Sequence, residues 1–297
     1  KRYYKKIWNK MIKKGIILAG GLGTRMSPLT KAVNKQLLPI HDKPLIFYPL
    51  SILMLAGIRD ILIIVNQGQL NQYKKIIPDG KNYGIKINYL EQKNPNGLPE
   101  AFLLGEKFIN NQNVCLILGD NFFYGQNLSK ILRNCTKLKN GAKVLLHRVN
   151  NPERFGVAKV LGKKIKTIKE KPKKFISDLA ITGLYFFDKK VCNYAKELKP
   201  SKRGELEIVD LLNKYLKNKK LSAELIGRGG AWLDTGSIED FYKTSAFVSA
   251  IENRQGFKIA CLEEIAFNNK WIDKKQLINA VKFYGNCSYS DYIKKLI

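Results

Sequence analysis

Histidine and paired cysteines are scarce in this chain of 297 residues. It contains only two histidines, His41 and His147, so a Ser-His-Asp triad or a zinc site built on histidine has little material. No Cys-x-x-Cys pair occurs and the cysteine count is odd, which indicates reduced thiols in a cytoplasmic protein. We therefore expect chemistry that proceeds without imidazole. The five cysteines are Cys115, Cys135, Cys192, Cys261 and Cys287.

Long apolar segments are also missing. The longest one, residues 45–58, is interrupted by Pro49 and is shorter than the roughly 20 residues that a membrane-spanning helix needs. The basic stretch 1–10 precedes Met11, and the apolar run GIILAG after it is too short for a secretory signal. The sequence thus predicts a cytoplasmic protein with no membrane partner, in which residues 1–10 are an appendage before the probable start at Met11.

Acidic residues are few. Lys and Arg number 53 against 24 Asp and Glu, which gives a formal charge of +29. Such an excess favours nucleic-acid binding, and a basic nucleic-acid-binding protein is the alternative from a different functional class. The lysines are spread over the whole length, however, and no zinc-finger, RRM or basic-zipper pattern occurs. We therefore expect no nucleic-acid partner, although the field would attract nucleoside triphosphates.

Two common phosphate-binding motifs are absent. No G-x-x-x-x-G-K-[ST] string occurs, and a G-x-G-x-x-G fingerprint counted from Gly21 fails at Met26. The chain instead has Gly20, Gly21 and Gly23 directly after the apolar strand predicted at 15–19.

This glycine turn is followed at short range by Arg25, Lys31 and Lys35. Glycines let main-chain N–H groups approach an anion closely, and the basic side chains add positive charge. A glycine turn after a strand is often only structural. The basic residues at short range favour a phosphate-handling segment.

Apolar runs alternate with amphipathic stretches through the first half of the chain. Strands are predicted at 15–19, 60–66, 85–90 and 113–118, and helices at 43–56, 70–77 and 99–109. This rhythm predicts an α/β fold with a mostly parallel sheet and helices on both faces. Residues 142–187 predict several short strands, and residues near 204–217 a helix with one apolar face. A helix is predicted from Ser237 to about Asn253, with Gly256 at its exit, and the last forty residues are predicted to be helical.

The string LAGGLGTR at 18–25, followed by KQLLP at 35–39, resembles the signature of the sugar-1-phosphate nucleotidyltransferases. Further blocks follow in the family's order, among them LILGDNFFYG, NPERFGVAKV, KPSKRGELEIVD and GRGGAWLDTGS. One block alone would be weak, but ordered blocks over residues 13–297 are specific. The likeness is strongest to the branch that uses dTTP and glucose 1-phosphate.

The resemblance implies a Rossmann-like domain over 11–297. Its parts would be a nucleotide-binding part at about 13–125, a smaller sugar-binding β region at about 140–236 and a helical C-terminal region at about 237–297. It also implies Mg²⁺-dependent transfer of a thymidylyl group from dTTP to glucose 1-phosphate, the first step of dTDP-rhamnose-type deoxysugar synthesis. A homotetramer with feedback by a dTDP-sugar is typical of the family. The nearest alternative is a relative of the same fold that uses UTP or another base.

The resemblance assigns residues to the two substrates. Arg25 and Lys35 would be catalytic, clamping the triphosphate. Taken alone, Lys35 would read as a surface charge, Gln92 as solvated loop, and Glu170 with Lys171 as a surface ion pair. The implied nucleotide-binding residues are Gly20, Gly21, Gly23, Thr24, Arg25, Lys35, Gln36, Gln92, Gly97 and Asp120. The implied sugar-phosphate-binding residues are Gly156, Glu170, Lys171, Ile181, Tyr185 and Arg203.

Two aspartates follow apolar strands, Asp120 in LGDN and Asp234 in AWLDTG. Mg²⁺ is commonly held by one or two carboxylates together with phosphate oxygens and water. A strand-ending aspartate is as often a turn residue. That the two converge as a metal site is implied only by the resemblance.

Overall fold

The computed structural model describes residues 11–162 and 164–297, and its first half alternates strands with helices. The elements are β1 (Lys14–Ala19), β2 (Pro39–Ile40), β3 (Lys43–Pro44), α1 (Phe47–Leu55), β4 (Asp60–Asn66), α2 (Leu70–Ile76), β5 (Lys86–Gln92), α3 (Glu100–Leu104), α4 (Glu106–Ile109) and β6 (Val114–Leu118). All four predicted strands are confirmed within about two residues.

Two helix predictions need correction. The helix expected at 43–56 begins only at Phe47, because residues 39–44 form the β2–β3 hairpin. The helix expected at 99–109 is divided at Gly105 into α3 and α4. Glycine stabilises a helix poorly, and a Cβ at Gly105 would lie 3.2 Å from both Ile16 and Leu62 in the sheet. The break therefore lets the chain pack closely on the sheet.

The second half adds a set of short strands and then helices, as the sequence predicts. The elements are β7 (Asn121–Gly125), α5 (Leu128–Cys135), β8 (Ala142–Arg148), β9 (Gly156–Leu161), β10 (Lys164–Glu170), β11 (Leu179–Phe187), α6 (Val191–Lys196), α7 (Ile208–Lys217), β12 (Leu221–Leu225), β13 (Gly230–Asp234), α8 (Ile238–Gln255), α9 (Leu262–Asn268), α10 (Lys274–Tyr284) and α11 (Ser288–Lys294). The Ser237 side chain accepts from the Asp240 N–H, and Gly256 ends α8 in the left-handed region.

The central sheet is parallel beside the glycine turn that follows β1. β1 pairs in parallel with β4 and β6, and β4 pairs in parallel with β5, which confirms the α/β prediction. β11 then joins the sheet antiparallel to β6 and connects it to β8, β9 and β10. β4 lies on one side of β1 in the sheet and β6 lies on the other, so the strand order reverses beside β1. Ligands bind at such a switch point, beyond the carboxyl ends of the strands.

The core lies on both faces of the sheet. Successive β1 residues alternate, with Ile17 packed in the cluster formed with α1, α5, α9 and α10, and Ile16 in the cluster formed with α3, α6 and α7. This alternation follows from the two-residue repeat of a strand. Cys115 is fully buried in the first cluster, as predicted, and all five cysteines are free thiols. Among the described residues, no helix combines the length and apolarity needed to cross a bilayer.

A buried group of charges fastens the hairpin β2–β3 to the end of α8. Lys43 Nζ lies 3.0 Å from Glu252 Oε1, and Lys258 Nζ lies 3.1 Å from Glu252 Oε2. Asp42 accepts from both lysines. Although His41, Asp42 and Glu252 lie close enough to share a cation, the two ammonium groups already neutralise the carboxylates. This group therefore holds α8, and β13 before it, against the loop that follows Lys35.

Candidate active site

One cavity of about 390 Å³ opens at the carboxyl ends of the parallel strands. The loop after β1, the end of β5 and the turn after β6 form one side, while residues of β9, β10, β11 and β13 form the other. The structure therefore brings together side chains that the sequence scatters over more than two hundred residues. Of the proposed site residues, all line this cavity except Gly23, Thr24 and Lys35.

Gly20 and Gly21 of the glycine turn line the cavity. The Gly20 carbonyl accepts from Gln92 Nε2 at 2.9 Å, and a Cβ at Gly20 would lie only 2.2 Å from that nitrogen. Gly23 adopts a left-handed conformation with φ of 62° and begins the 3₁₀ turn Thr24–Met26. That turn leaves Arg25 exposed on the cavity wall. Gly23 and Thr24 thus shape the loop from outside the lining.

Lys35 is a buried neighbour of Asp120 and is not part of the cavity lining. Its side chain is 6% exposed, and Nζ donates to Asp120 Oδ2 at 2.7 Å. Burial raises the pKa of the Asp120 carboxyl, but Lys35 and the amide of Asn121 outweigh it and hold that pKa below its ordinary value. The geometry makes Lys35 the counter-ion of this carboxylate.

Asp120 and Asp234 are neighbours. β7 and β13 pair antiparallel with Asn121 opposite Asp234, and Thr235 donates to the Asp120 carbonyl from N–H at 3.1 Å and from its hydroxyl at 2.8 Å. Burial, followed by the charge of Asp120, raises the pKa of Asp234 to about 6. Two carboxylates that repel each other at the edge of a cavity are suited to bind a cation.

Arg25 points toward these carboxylates. A Cβ built on Gly236 would lie 2.9 Å from Arg25 Nη2 and 3.1 Å from Asp234 Oδ2. The Arg25 guanidinium and the Asp234 carboxylate therefore both lie beside Gly236. The cavity edge combines one cation with two anions, an arrangement that can receive a phosphate chain together with a metal ion.

Gln36, Gln92 and Gly97 also line the cavity. Gln36 Oε1 is buried without a hydrogen-bond partner in the described structure, so this acceptor remains available for a ligand donor. Gly97 has φ of 109°, and a Cβ there would lie 2.1 Å from the Leu206 carbonyl oxygen. Gly97 is needed because the loop after β5 touches the segment before α7.

All six proposed sugar-phosphate residues line the same cavity. Arg203 Nη2 lies 2.8 Å from Glu207 Oε2 and 3.6 Å from Glu170 Oε1. Burial raises the pKa of Glu170 despite the opposing charge of Lys171. This part of the cavity wall thus places the Glu170 and Glu207 carboxylates, which can accept hydrogen bonds from hydroxyl groups, beside the Arg203 and Lys171 cations, which can bind phosphate.

The sequence did not predict four polar residues of the cavity lining, namely Asn121, Arg154, Glu205 and Glu207. Arg154 Nη2 donates to Asp240 Oδ2 at 2.9 Å. Each lies inside a block that carried the resemblance, namely LGDNFF, NPERFG or KRGELE. Their position in those blocks was the available signal, since a single Asn, Arg or Glu indicates nothing by residue type. Trp232 is 7% exposed and also lines the cavity.

Comparison with known proteins agrees with this architecture. Residues 14–251 match the Nucleotidyl transferase family model. The chain is 49% identical over 285 residues to the glucose-1-phosphate thymidylyltransferase of Neisseria meningitidis, covering 96% of this chain and 99% of the relative. It is 40% identical over 285 residues to that of Mycobacterium tuberculosis, again covering 96% and 99%.

Solved structures share the fold. A crystal structure assigned to glucose-1-phosphate thymidylyltransferase from Bacillus anthracis, in complex with a sucrose, superimposes with a TM-score of 0.73 at 41% identity and covers 79% of this chain and 94% of that one. A UDP-glucose pyrophosphorylase complexed with UDP-glucose gives a TM-score of 0.71 at 28% identity, covering 82% and 100%. The chain therefore belongs to the nucleotidyl transferase family and, within it, to the glucose-1-phosphate thymidylyltransferases.

Proposed function

We propose that this enzyme transfers a thymidylyl group from dTTP to glucose 1-phosphate, forming dTDP-glucose and releasing pyrophosphate. The observation that carries the proposal is the convergence of Asp120, Asp234 and Arg25 at one edge of a cavity that Glu170 and Lys171 also line. A triphosphate and a sugar phosphate both need positive charge to bind, and Arg25 and Lys171 supply it in the same cavity.

Mg²⁺ fits the residues present. Asp120 and Asp234 supply hard oxygen ligands side by side. Burial and, second, the charge of Asp120 raise the pKa of Asp234 to about 6, and a divalent ion would relieve the repulsion between the two carboxylates. Bound there, Mg²⁺ would neutralise charge on the triphosphate oxygens. Lys35 keeps Asp120 ionised and therefore ready to act as a ligand.

The side chains of this protein would act mainly by neutralisation and positioning. Two anionic substrates repel each other, so holding them together against that repulsion supplies much of the rate enhancement. Arg25 would bind the triphosphate and stabilise charge on the departing pyrophosphate, while Lys171 and Arg203 would bind the sugar phosphate. No general base is needed, because a phosphate monoester is already ionised near neutral pH. The scarcity of histidine is consistent with this chemistry.

The choice of nucleotide base would depend on a few residues of the cavity wall, chiefly Gln36, Gln92 and Gly97. The similarity to a UDP-glucose pyrophosphorylase supports UTP as the second candidate, since the same cavity architecture serves both bases. The identity of 49% to a thymidylyltransferase favours dTTP.

The proposed reaction can be tested by pyrophosphate release. With Mg²⁺, dTTP and glucose 1-phosphate we expect continuous release that EDTA abolishes, and the highest kcat/KM for dTTP in a panel of nucleoside triphosphates and sugar phosphates. A higher kcat/KM for UTP would favour the second candidate. No release with any pair, together with salt-dependent binding to DNA, would favour the nucleic-acid alternative.

Arg25→Ala should separate activity from folding. Because the guanidinium is exposed at the cavity edge, its removal should cost little stability while kcat/KM for dTTP falls about 10²-fold to 10³-fold, the usual effect of losing one charge-stabilising donor. The matched control is Arg254→Ala, an exposed arginine on α8 outside the cavity, which should retain full activity. Equal kcat/KM in Arg25→Ala and parent protein would refute the role.

The finer biological assignments are part of the same proposal. We place the enzyme in the cytoplasm as a homotetramer that feeds dTDP-rhamnose-type deoxysugar synthesis and responds to a dTDP-sugar. The three-part division of residues 11–297 given above belongs here too, while the appendage 1–10 lies outside the described residues. The family membership supports these assignments.

A further inference from the structure

Asn121 hydrogen-bonds to three separate walls of the active-site cavity. Its side chain is buried, with the residue 3% exposed. Nδ2 donates to Asp120 Oδ1 at 3.0 Å, while Oδ1 accepts from the Gly183 N–H at 3.0 Å and from Trp232 Nε1 at 2.6 Å. Both lone pairs of the amide oxygen are therefore used. The opposite amide orientation is excluded, since it would set the NH₂ group against two N–H donors.

The three partners belong to three different elements. Asp120 follows β6, Gly183 lies in β11 between Ile181 and Tyr185, and Trp232 lies in β13 near Asp234. The approach to β11 is close, because a Cβ at Gly183 would lie 2.5 Å from Asn121 Oδ1. One amide thus ties the carboxylate edge of the cavity to its sugar wall.

We propose that Asn121 is a positioning residue that fixes the Asp120 carboxylate and the Trp232 indole relative to each other. The inference rests on the proposed function, in which Asp120 binds the metal ion and Trp232 borders the sugar end. Side chains that hold a metal ligand in place typically contribute 10-fold to 100-fold in metal affinity or activity. A carboxylate displaced by about 1 Å loses a comparable factor in rate.

Two substitutions distinguish the positioning of Asp120 from the positioning of Trp232. Asn121→Ala removes all three hydrogen bonds and leaves space for a bridging water, which favours retention of the fold. Trp232→Phe removes only the Nε1 donor and leaves the bonds of Asn121 to Asp120 and Gly183 in place. The matched control is Asn113→Ala. The Asn113 side chain also makes three hydrogen bonds, to the carbonyls of Leu138 and Lys139 and from the N–H of Lys189, outside the cavity.

The first readout is binding of Mn²⁺ alone, followed by electron paramagnetic resonance without substrate. We expect the Kd for Mn²⁺ to rise about 10-fold to 100-fold in Asn121→Ala, and to stay unchanged in Trp232→Phe and Asn113→Ala. In steady-state assays, Asn121→Ala should lower kcat and raise the KM for glucose 1-phosphate. Trp232→Phe should raise that KM with a smaller change in kcat.

Two results would overturn the inference. One is an Asn121→Ala protein that binds Mn²⁺ with the parent Kd and keeps kcat and KM within twofold. The other is an equal loss in Asn113→Ala, which would mark general destabilisation. Failure of the parent protein to turn over dTTP and glucose 1-phosphate would sink the proposed function instead. The Mn²⁺ titration would still test the link between Asn121 and Asp120.

Discussion

Asp234→Asn should lower kcat about 10³-fold and leave the protein at least as stable as the parent. The loss of rate follows from removing one of two anionic ligands, since a metal ion supplies several kcal/mol of charge stabilisation to such reactions. Stability is retained because this carboxylate is buried beside Asp120, so its charge is repelled in the absence of metal. Active sites commonly hold such unfavourable charges, and removing them relieves the folded state.

The measurement is a melting curve in EDTA beside a pyrophosphate-release assay in Mg²⁺. Asp291→Asn is the control, because Asp291 is exposed and forms an ion pair with Lys294 within the C-terminal helix. That variant should match the parent in both measurements. A melting temperature for Asp234→Asn several degrees below the parent would show that the carboxylate stabilises the fold, and unchanged kcat would remove Asp234 from the site.

The nucleotide half of the fold is predictable because its signals are local. A short apolar strand ending in glycines defines β1 and the turn after it, and the same strand rule finds β4, β5 and β6. Parallel pairing then places the ends of these strands at one edge of the sheet, so the position of the cavity follows without a structure. The differences from the helices predicted at 43–56 and 99–109 also have local causes. The β2–β3 hairpin delays the start of the first helix, and Gly105 divides the second.

The meeting of Asp120 with Asp234 is not local and needed the family resemblance. It depends on the antiparallel register of β7 with β13, which pairs Asn121 with Asp234 across more than a hundred residues of chain. Nothing in the composition of either strand specifies that register, because side-chain alternation alone fits several alignments. The hydrogen bond from Trp232 to Asn121 depends on the same register, and the sequence therefore did not predict it.

Lys35 shows a different limit of sequence reasoning. Its place after the glycine turn indicates a charge near phosphate, but whether the ammonium reaches the ligand or a carboxylate depends on burial. The structure buries Lys35 against Asp120 and leaves Arg25 exposed. Lys35 thus has a buried carboxylate as its partner, whereas Arg25 faces the open cavity. We therefore expect loss of the Lys35 partner to affect stability, and loss of the Arg25 side chain to affect mainly activity.

Asp120→Asn should lose both activity and stability, in contrast to Asp234→Asn. The buried Lys35 ammonium would keep only a neutral acceptor, which should cost about 3 kcal/mol, near the lower end for breaking a buried ion pair. That corresponds to a fall in melting temperature of roughly 6–12 °C for a chain of this size, while kcat falls about 10³-fold with the loss of a metal ligand.

The double variant Lys35→Met/Asp120→Asn distinguishes the two effects. Replacing both partners of a buried pair with neutral groups is often close to neutral for folding, so most of the melting temperature should return while turnover stays low. Recovery of stability without activity would establish that Lys35 and Asp120 stabilise the fold as a pair and that the Asp120 carboxylate is separately required for chemistry. If the double variant melts no higher than Asp120→Asn, the ion pair is not the source of the lost stability, and the assignment of Lys35 as counter-ion fails.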